Sequence, residues 1–361
     1  MQTHRMPRFR RGHIIGLAIL IVATSPFCST VWNSHKSVFG QESPMKNGEL
    51  SSLDLDAPPQ RNFNLPLKTL GGWQFWTDYV IRSDWRIQQN VYTNSFRLLS
   101  PTDTRMASGN YAHCINEMDR ILTASEAEPS PDKAIVLIHG LARSRSSMAS
   151  MAKYLEANTQ AQIVNFSYAS TRGTLSDHAK ALHHMLQHLR GVQEVSFVCH
   201  SLGNLVVRRM LDQESPLNSS RFSRMVMLGP PNLGAQLARR FQKNLVLNLV
   251  WGKSGKQLAR NWDHVKTELA TPDFEFGILA GGGGESRFSN PLVQGEDDLI
   301  VSVEETRLPG AADFRRVTAY HTWLTSSEEV KVLTVRFLKF GYFESEDSRE
   351  PIPLRGDSTS E

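Results

Sequence analysis

The pentapeptide Cys199-His200-Ser201-Leu202-Gly203 lies between the apolar run Val195–Val198 and a segment from Asn204 to Leu211 that reads as a helix. A serine placed there sits on a tight strand-to-helix turn, its hydroxyl lifted clear and a helix N-terminus beneath it. Such a turn crowds the side chains two residues before and after the serine, so small residues are needed there. Gly203 meets that need, and Cys199, although larger, is compact. A hydroxyl is a weak nucleophile until a base takes its proton, and the base in turn needs an acid to orient it. Downstream of Ser201 the histidines are His264, in what reads as an inserted helical segment, and His321, which follows a strand-like run. The run Gly295-Glu296-Asp297-Asp298-Leu299 offers two adjacent carboxylates, Asp297 and Asp298, as the acid.

These residues need a frame that brings distant parts of the chain together. Between Ala134 and Phe340, short apolar runs alternate with helix-like segments. Strands are expected at Ala134–Ile138, Gln162–Phe166, Val195–Cys199, Arg224–Leu228, Phe276–Ala280 and Arg315–Thr318. Helices are expected at Met148–Ala157, Leu175–Leu189, from Ser201 to Leu211, and at Glu328–Phe340. Continuous apolar runs separated by helices predict an α/β fold, a mostly parallel sheet covered on both faces. Active sites in such folds lie beyond the carboxyl ends of the strands, which is where Ser201, Asp298 and His321 fall.

From about Lys133 to Leu338 the chain resembles the α/β-hydrolases of the lipase and esterase kind. His139-Gly140-Leu141 resembles that family's H-G-x turn, and residues 199–203 resemble its G-H-S-x-G elbow with Cys199 in place of the first Gly. Leu228-Gly229-Pro230-Pro231-Asn232-Leu233-Gly234 resembles the lipase segment T-P-H-x-G. Asp298-Leu299-Ile300-Val301 resembles D-G-x-V, with Leu299 in place of Gly. The resemblance implies an ester hydrolase with Ser201 as nucleophile, His321 as base and Asp298 as acid, Asp297 being the alternative. It also implies that the Leu141 and Leu202 amides receive the oxyanion, and that no metal or organic cofactor takes part. An acyltransferase using the same triad, or a non-catalytic hydrolase-like binding module, are the competing classes.

Composition frames the rest. The 361 residues are 40% hydrophobic and 21% charged, with only 3 Cys, which excludes a disulfide scaffold or a thiol metal cage. Arg5, Arg8, Arg10 and Arg11 precede the apolar run Ile14–Ala23, so residues 1–30 read as a signal peptide or an N-terminal anchor. Removing those four from 40 basic residues leaves 36, matching the 36 acidic residues, so no basic face for nucleic acid is expected. The expected partner is a small-molecule or lipid ester. The expected location is outside the cytoplasm, periplasmic or secreted, with membrane association through the N-terminal segment if it is retained. Residues 31–70 read as a linker and residues 71–130, rich in aromatics, as an extension whose strands pack on the edge of the larger sheet. The catalytic domain is expected over 131–343, with 236–271 either a helical cap or ordinary core, and 344–361 as a flexible tail. His178, His183, His184 and His188 cluster on one expected helix. No Glu lies between His184 and His188 to complete an H-E-x-x-H site, so packing is expected of them. His200 is expected to point away from the site and to pack.

Overall fold

The computed structural model describes residues 67–69, 74–124, 131–212, 221–234, 252–258, 261–282, 290 and 293–354. The chain divides into two units, Met1–Arg61 and Asn62–Glu361, and every described residue belongs to the second. The signal or anchor segment, most of the linker and the first part of the expected cap lie outside the described residues. Among the described residues, no helix is long and apolar enough to cross a membrane.

The extension folds into β1 (Leu67–Lys68), β2 (Trp76–Arg82), β3 (Trp85–Asn90), β4 (Phe96–Leu99), β5 (Thr104–Gly109) and α1 (Tyr111–Ala124). The five strands form their own antiparallel sheet in the order β1-β5-β4-β3-β2, rather than lengthening the larger one. One face of this sheet is apolar: Val80, Ile87, Leu98 and Ala107 align across the strands and pack against Cys114 and Met118 of α1. The other face carries Asp78, Gln88 and Arg97 in cross-strand register, all buried.

The larger body holds β6 (Lys133–Ile138), α2 (Ala149–Asn158), β7 (Gln162–Phe166), α3 (Leu175–Gln187), β8 (Glu194–His200), α4 (Leu202–Asp212), β9 (Phe222–Leu228), β10 (Glu275–Gly282), β11 (Asp313–Thr318) and α5 (Glu328–Phe340). Its six strands lie in the order β11-β10-β9-β8-β6-β7, every neighbouring pair parallel. Side chains alternate across each strand, so one strand feeds two cores. Ala134, Val136 and Ile138 of β6 pack with Leu182, Met185, Leu205 and Val206 of α3 and α4. Ile135 and Leu137 pack on the opposite face with Met151, Leu155, Val330 and Phe337 of α2 and α5. The helices therefore cover both faces, as the apolar runs predicted.

Two expectations are corrected. The helix α1 lies in a stretch that reads only as strands, although Tyr111, Cys114, Ile115, Met118, Ile121 and Leu122 recur at helical spacing and face the apolar side of the small sheet. The tail beyond Phe343 is not free as far as residue 354. Ile352 exchanges backbone hydrogen bonds with Gly310 (2.8 Å) and Ala311 (2.9 Å), and the Glu350 amide donates to Asp313 at 3.0 Å. Of the 236–271 segment, residues 252–258 are helical and lie against the β7–α3 connection, where the Lys253 amide donates to the Thr171 carbonyl at 2.8 Å.

Candidate active site

Ser201 follows β8 immediately and adopts φ +52°, in the left-handed region that costs a non-glycine residue energy and is held only by its surroundings. Three bonds fix the turn. The Ser201 amide donates to the Leu228 carbonyl of β9 at 2.9 Å, and the Ser201 carbonyl receives the Asn204 amide (3.1 Å) and side chain (3.0 Å). Gly203 is obligatory, since a Cβ there would sit 2.5 Å from the Ile138 carbonyl oxygen. Cys199 is tolerated because its side chain points into the apolar core; burial drives its thiol well above the ordinary range and keeps it protonated.

The loop after β6 passes directly over the serine. A Cβ on Gly140 would lie 3.1 Å from Ser201 Cβ and 3.0 Å from His200 Nδ1, so any larger residue would press on both side chains. Leu141 follows in this loop, while Leu202 opens α4, where the first amides of a helix lack intrahelical acceptors. Neither amide has an acceptor among the described residues. His139 anchors the loop from below. It is fully buried, stacks on Tyr168 at 4.3 Å, and its carbonyl accepts from Tyr168 Oη at 2.7 Å. Burial lowers its pKa to about 4, so the ring is neutral.

His321 opens a short turn after β11 and is buried. Its Nδ1 lies 2.7 Å from Asp298 Oδ2, and its amide donates to the Asp298 carbonyl at 3.0 Å. A carboxylate only accepts, so Nδ1 carries a proton, and in the neutral ring Nε2 is the nitrogen with the lone pair. The remaining oxygen of Asp298 receives the Ile300 (3.0 Å) and Val301 (2.8 Å) amides. Asp297 faces elsewhere. Its carboxylate receives the Asn290 amide (3.1 Å to each oxygen) and the Leu299 amide (2.7 Å), and burial raises its pKa. Of the two adjacent acids it is therefore Asp298 that meets the histidine. Leu299, at the position where the resemblance implies Gly, has φ +81°.

Sequence reasoning missed the glycines that make room for this pair. A Cβ at Gly229 would stand 3.2 Å from His321 Nδ1 and 3.3 Å from Asp298 Oδ2, and one at Gly281 would stand 2.8 Å from Asp298 Cβ. Their position at the ends of β9 and β10 is the signal that could have found them. His200 is a correction. It does pack, but it does not point away from the site: its ring lies 4.8 Å from that of His321, and its Nε2–H donates to the His321 carbonyl at 2.9 Å. The fold thus joins His321 directly to Asp298, and to the serine turn through His200. Ser201 Oγ itself has no hydrogen-bond partner among the described residues.

The other candidates lie apart. His264 is on an exposed turn, 4.0 Å from Glu268. His184 stacks between Tyr79 (3.6 Å) and His188 (4.3 Å), and His178 is buried with its Nε2 3.0 Å from Ser254 Oγ. Among the described residues, no group of three His, Cys, Asp or Glu is arranged to hold a metal. Of the nearby arginines, Arg145 pairs with Asp103 and Arg172 lies over the Phe75 ring at 5.6 Å, while Arg143 is half-buried in the Gly140–Arg143 turn beside the site, its pKa lowered by burial.

The strand order, the serine elbow after β8, the acid after β10 and the histidine after β11 make this an α/β-hydrolase fold. Residues 104–258 match the family model described as a domain of unknown function, DUF7379. No curated protein matches the chain. Among solved structures, the chain is similar to phospholipase PlaB from Legionella pneumophila at 16% identity and TM-score 0.46, over 59% of this chain and 60% of that one. It is also similar to the mature lipase BlEst2 from Bacillus licheniformis at 18% identity and TM-score 0.43, over 60% and 94% of the two chains. A third likeness is to the lin2722 product from Listeria innocua, at 18% identity and TM-score 0.41, over 63% and 98%.

Proposed function

We propose that this protein is a serine hydrolase that cleaves carboxylic esters through an acyl-enzyme on Ser201. The observation that carries the reading is the buried 2.7 Å contact between His321 Nδ1 and Asp298 Oδ2, held next to the serine turn by His200. With its proton on Nδ1, His321 offers Nε2 to the serine. Ser201 Oγ attacks the ester carbonyl as Nε2 takes its proton, and the oxygen that gains charge is received by the Leu141 and Leu202 amides. The protonated His321 then delivers the proton to the departing alkoxide, and the alcohol leaves. Water attacks the acyl-enzyme with His321 again as base, releasing the acid and restoring the serine. Asp298 keeps the imidazole in the working tautomer and offsets the charge that forms on it. Loss of one oxyanion donor costs about 10²–10³ in turnover, and loss of the serine on the order of 10⁶.

The substrate class is a small-molecule or lipid ester. The basic and apolar residues 1–30 are the basis for placing the enzyme outside the cytoplasm, secreted or held at a membrane by that segment. Hydrolysis of p-nitrophenyl esters of increasing chain length, alongside labelling by a fluorophosphonate, tests the reading. Wild type is expected to turn over and to be labelled, and Ser201→Ala to do neither. A well-folded wild type that is inert to every ester and to the probe would refute it.

A further inference from the structure

Gln74 belongs to the extension, outside everything the hydrolase resemblance covers, yet its side chain is buried in the catalytic body. All four hydrogen-bonding positions of its amide are used there. Nε2 donates to the Arg143 carbonyl at 2.8 Å and to Ser170 Oγ at 3.1 Å. Oε1 accepts from the Thr171 amide at 2.9 Å and from Thr171 Oγ1 at 2.6 Å. Ser170 Oγ in turn receives the Ala142 amide at 3.0 Å. Arg143 and Ala142 are the residues that follow Leu141, and the Arg143 amide closes the turn on the Gly140 carbonyl at 3.3 Å. One side chain therefore grips both the exit of the Gly140–Arg143 turn and the hydroxyl that holds its middle.

That turn needs gripping. Ala142 has φ +54° and Gln74 itself φ +58°, so two non-glycine residues occupy the left-handed region on either side of this contact. Such conformations persist only where neighbouring bonds over-determine them. The entrance of the turn is fixed by the close approach of Gly140 to Ser201, and the exit by Gln74. Leu141 lies between them. An oxyanion donor works only when its N–H is held in place before the charge develops, and small displacements are costly.

We propose that Gln74 is a positioning residue that sets the Leu141 amide for the oxyanion, making the extension a working part of the catalytic centre. The inference rests on the ester-hydrolase reading of Ser201, Asp298 and His321. The bland alternative is that Gln74 only fastens the extension to the body. Thr77 separates the two, because its Oγ1 receives the Ala169 amide at 3.2 Å on the same strip of chain without touching the turn.

The test compares Gln74→Glu, Gln74→Gly and Thr77→Val on p-nitrophenyl butyrate, with Ser201→Ala as the control for the reading itself. Gln74→Glu keeps shape and acceptor but sets an oxygen against the Arg143 carbonyl. Gln74→Gly suits the left-handed backbone while removing every bond of the side chain. Both are expected to lower kcat by about 10–100-fold with KM within about threefold, since a donor is displaced rather than deleted. Thr77→Val is expected to stay within about twofold of wild-type kcat. Amide hydrogen exchange across residues 140–143 is expected to speed up in both Gln74 variants and not in Thr77→Val. If both Gln74 variants keep kcat within about threefold, or lose no more than Thr77→Val, the positioning role is overturned. Should Ser201→Ala hydrolyse the ester like wild type, the hydrolase reading fails separately. Exchange then decides alone, and unchanged protection of 140–143 in both Gln74 variants would overturn the grip itself.

Discussion

Replacing each of two adjacent acids by its amide separates their roles. In Asp298→Asn, the new side chain must still satisfy the Ile300 and Val301 amides, which lie 3.0 and 2.8 Å from Oδ1. Only the amide oxygen can accept them, so the NH₂ group turns to His321 Nδ1, where Oδ2 stood at 2.7 Å. An NH₂ facing Nδ1 donates, which forces the imidazole proton onto Nε2 and leaves no lone pair for the serine. The same tautomer change in a triad costs about 10⁴ in kcat, or about 5.4 kcal/mol at 1.36 kcal/mol per tenfold. In Asp297→Asn the histidine is untouched, and what weakens is a carboxylate that receives the Asn290 and Leu299 amides. That costs about 1–3 kcal/mol of stability and less than about tenfold in kcat. The assay is steady-state hydrolysis of p-nitrophenyl butyrate with Tm measured on the same samples. A larger kcat loss in Asp297→Asn than in Asp298→Asn, or a loss under tenfold in the latter, would refute the assignment.

Three further outcomes follow from the same geometry. His139 and His178 are buried and neutral, with pKa values lowered to about 4 from 6.5, so the unfolded chain binds more protons between those values and stability falls as pH drops from 6.5 towards 4. Each contributes up to about 2 kcal/mol of loss at pH 5, and urea unfolding at pH 7 and pH 5 should show it, with no loss on acidification contradicting both burials. Gly229→Ala puts a methyl 2.8 Å from Leu324 Cδ1 and 3.2 Å from His321 Nδ1 at a residue with φ +52°, so Tm and kcat should both fall; about 1–3 kcal/mol is expected from overpacking, and unaltered kcat would argue that the His321 ring is free to shift. Leu299→Gly relieves a left-handed leucine at φ +81° worth about 1–2 kcal/mol, less about 0.5–1 kcal/mol for glycine's freedom when unfolded; Tm should rise by a few degrees, and a drop would mean that the leucine side chain supplies packing the loop needs.

The six-stranded body was largely legible in the sequence. Buried parallel strands are apolar on both faces, so β6 reads as one uninterrupted run, and the two cores that flank it both demand such residues. Ser201 was legible for a related reason: the elbow's crowding dictates Gly203, and the flanking strand and helix leave the serine at one place. The acid was legible only to a pair, because side-chain direction within Gly295–Leu299 is set by amides at Asn290, Ile300 and Val301 that a linear pattern does not reveal. Gly229 and Gly281 carry no chemistry, and their need appears only when the histidine and acid are in place above them. The alternation around Trp85–Leu98 reads correctly as strands, but it does not reveal that they form a sheet of their own, joined to the body by Ile81 and Tyr79 and by a polar face.

That polar face explains why the extension is bound into the body rather than appended to it. Asp78 receives Arg86 Nη1 at 2.6 Å, Gln88 Nε2 at 2.7 Å and the Ser167 amide at 2.7 Å, while its own amide donates to the Ser167 carbonyl at 2.8 Å. Arg97 closes the ladder, donating twice to Gln88 Oε1 and lying 4.1 Å above the Trp76 ring. Ser167 follows β7, one of the two edge strands of the parallel sheet, so the extension meets the body at the strand end from which the Ser170–Thr171 segment departs. An apolar contact there would tolerate sliding. A buried charge is costly unless its partners are in place, which disfavours any other register. Gln74 lies four residues before Asp78 on the same strip of chain, so the register that satisfies the carboxylate also delivers the amide to the Gly140–Arg143 turn. The ladder thus fixes where the extension lies, and the amide passes that position on to the loop above Ser201.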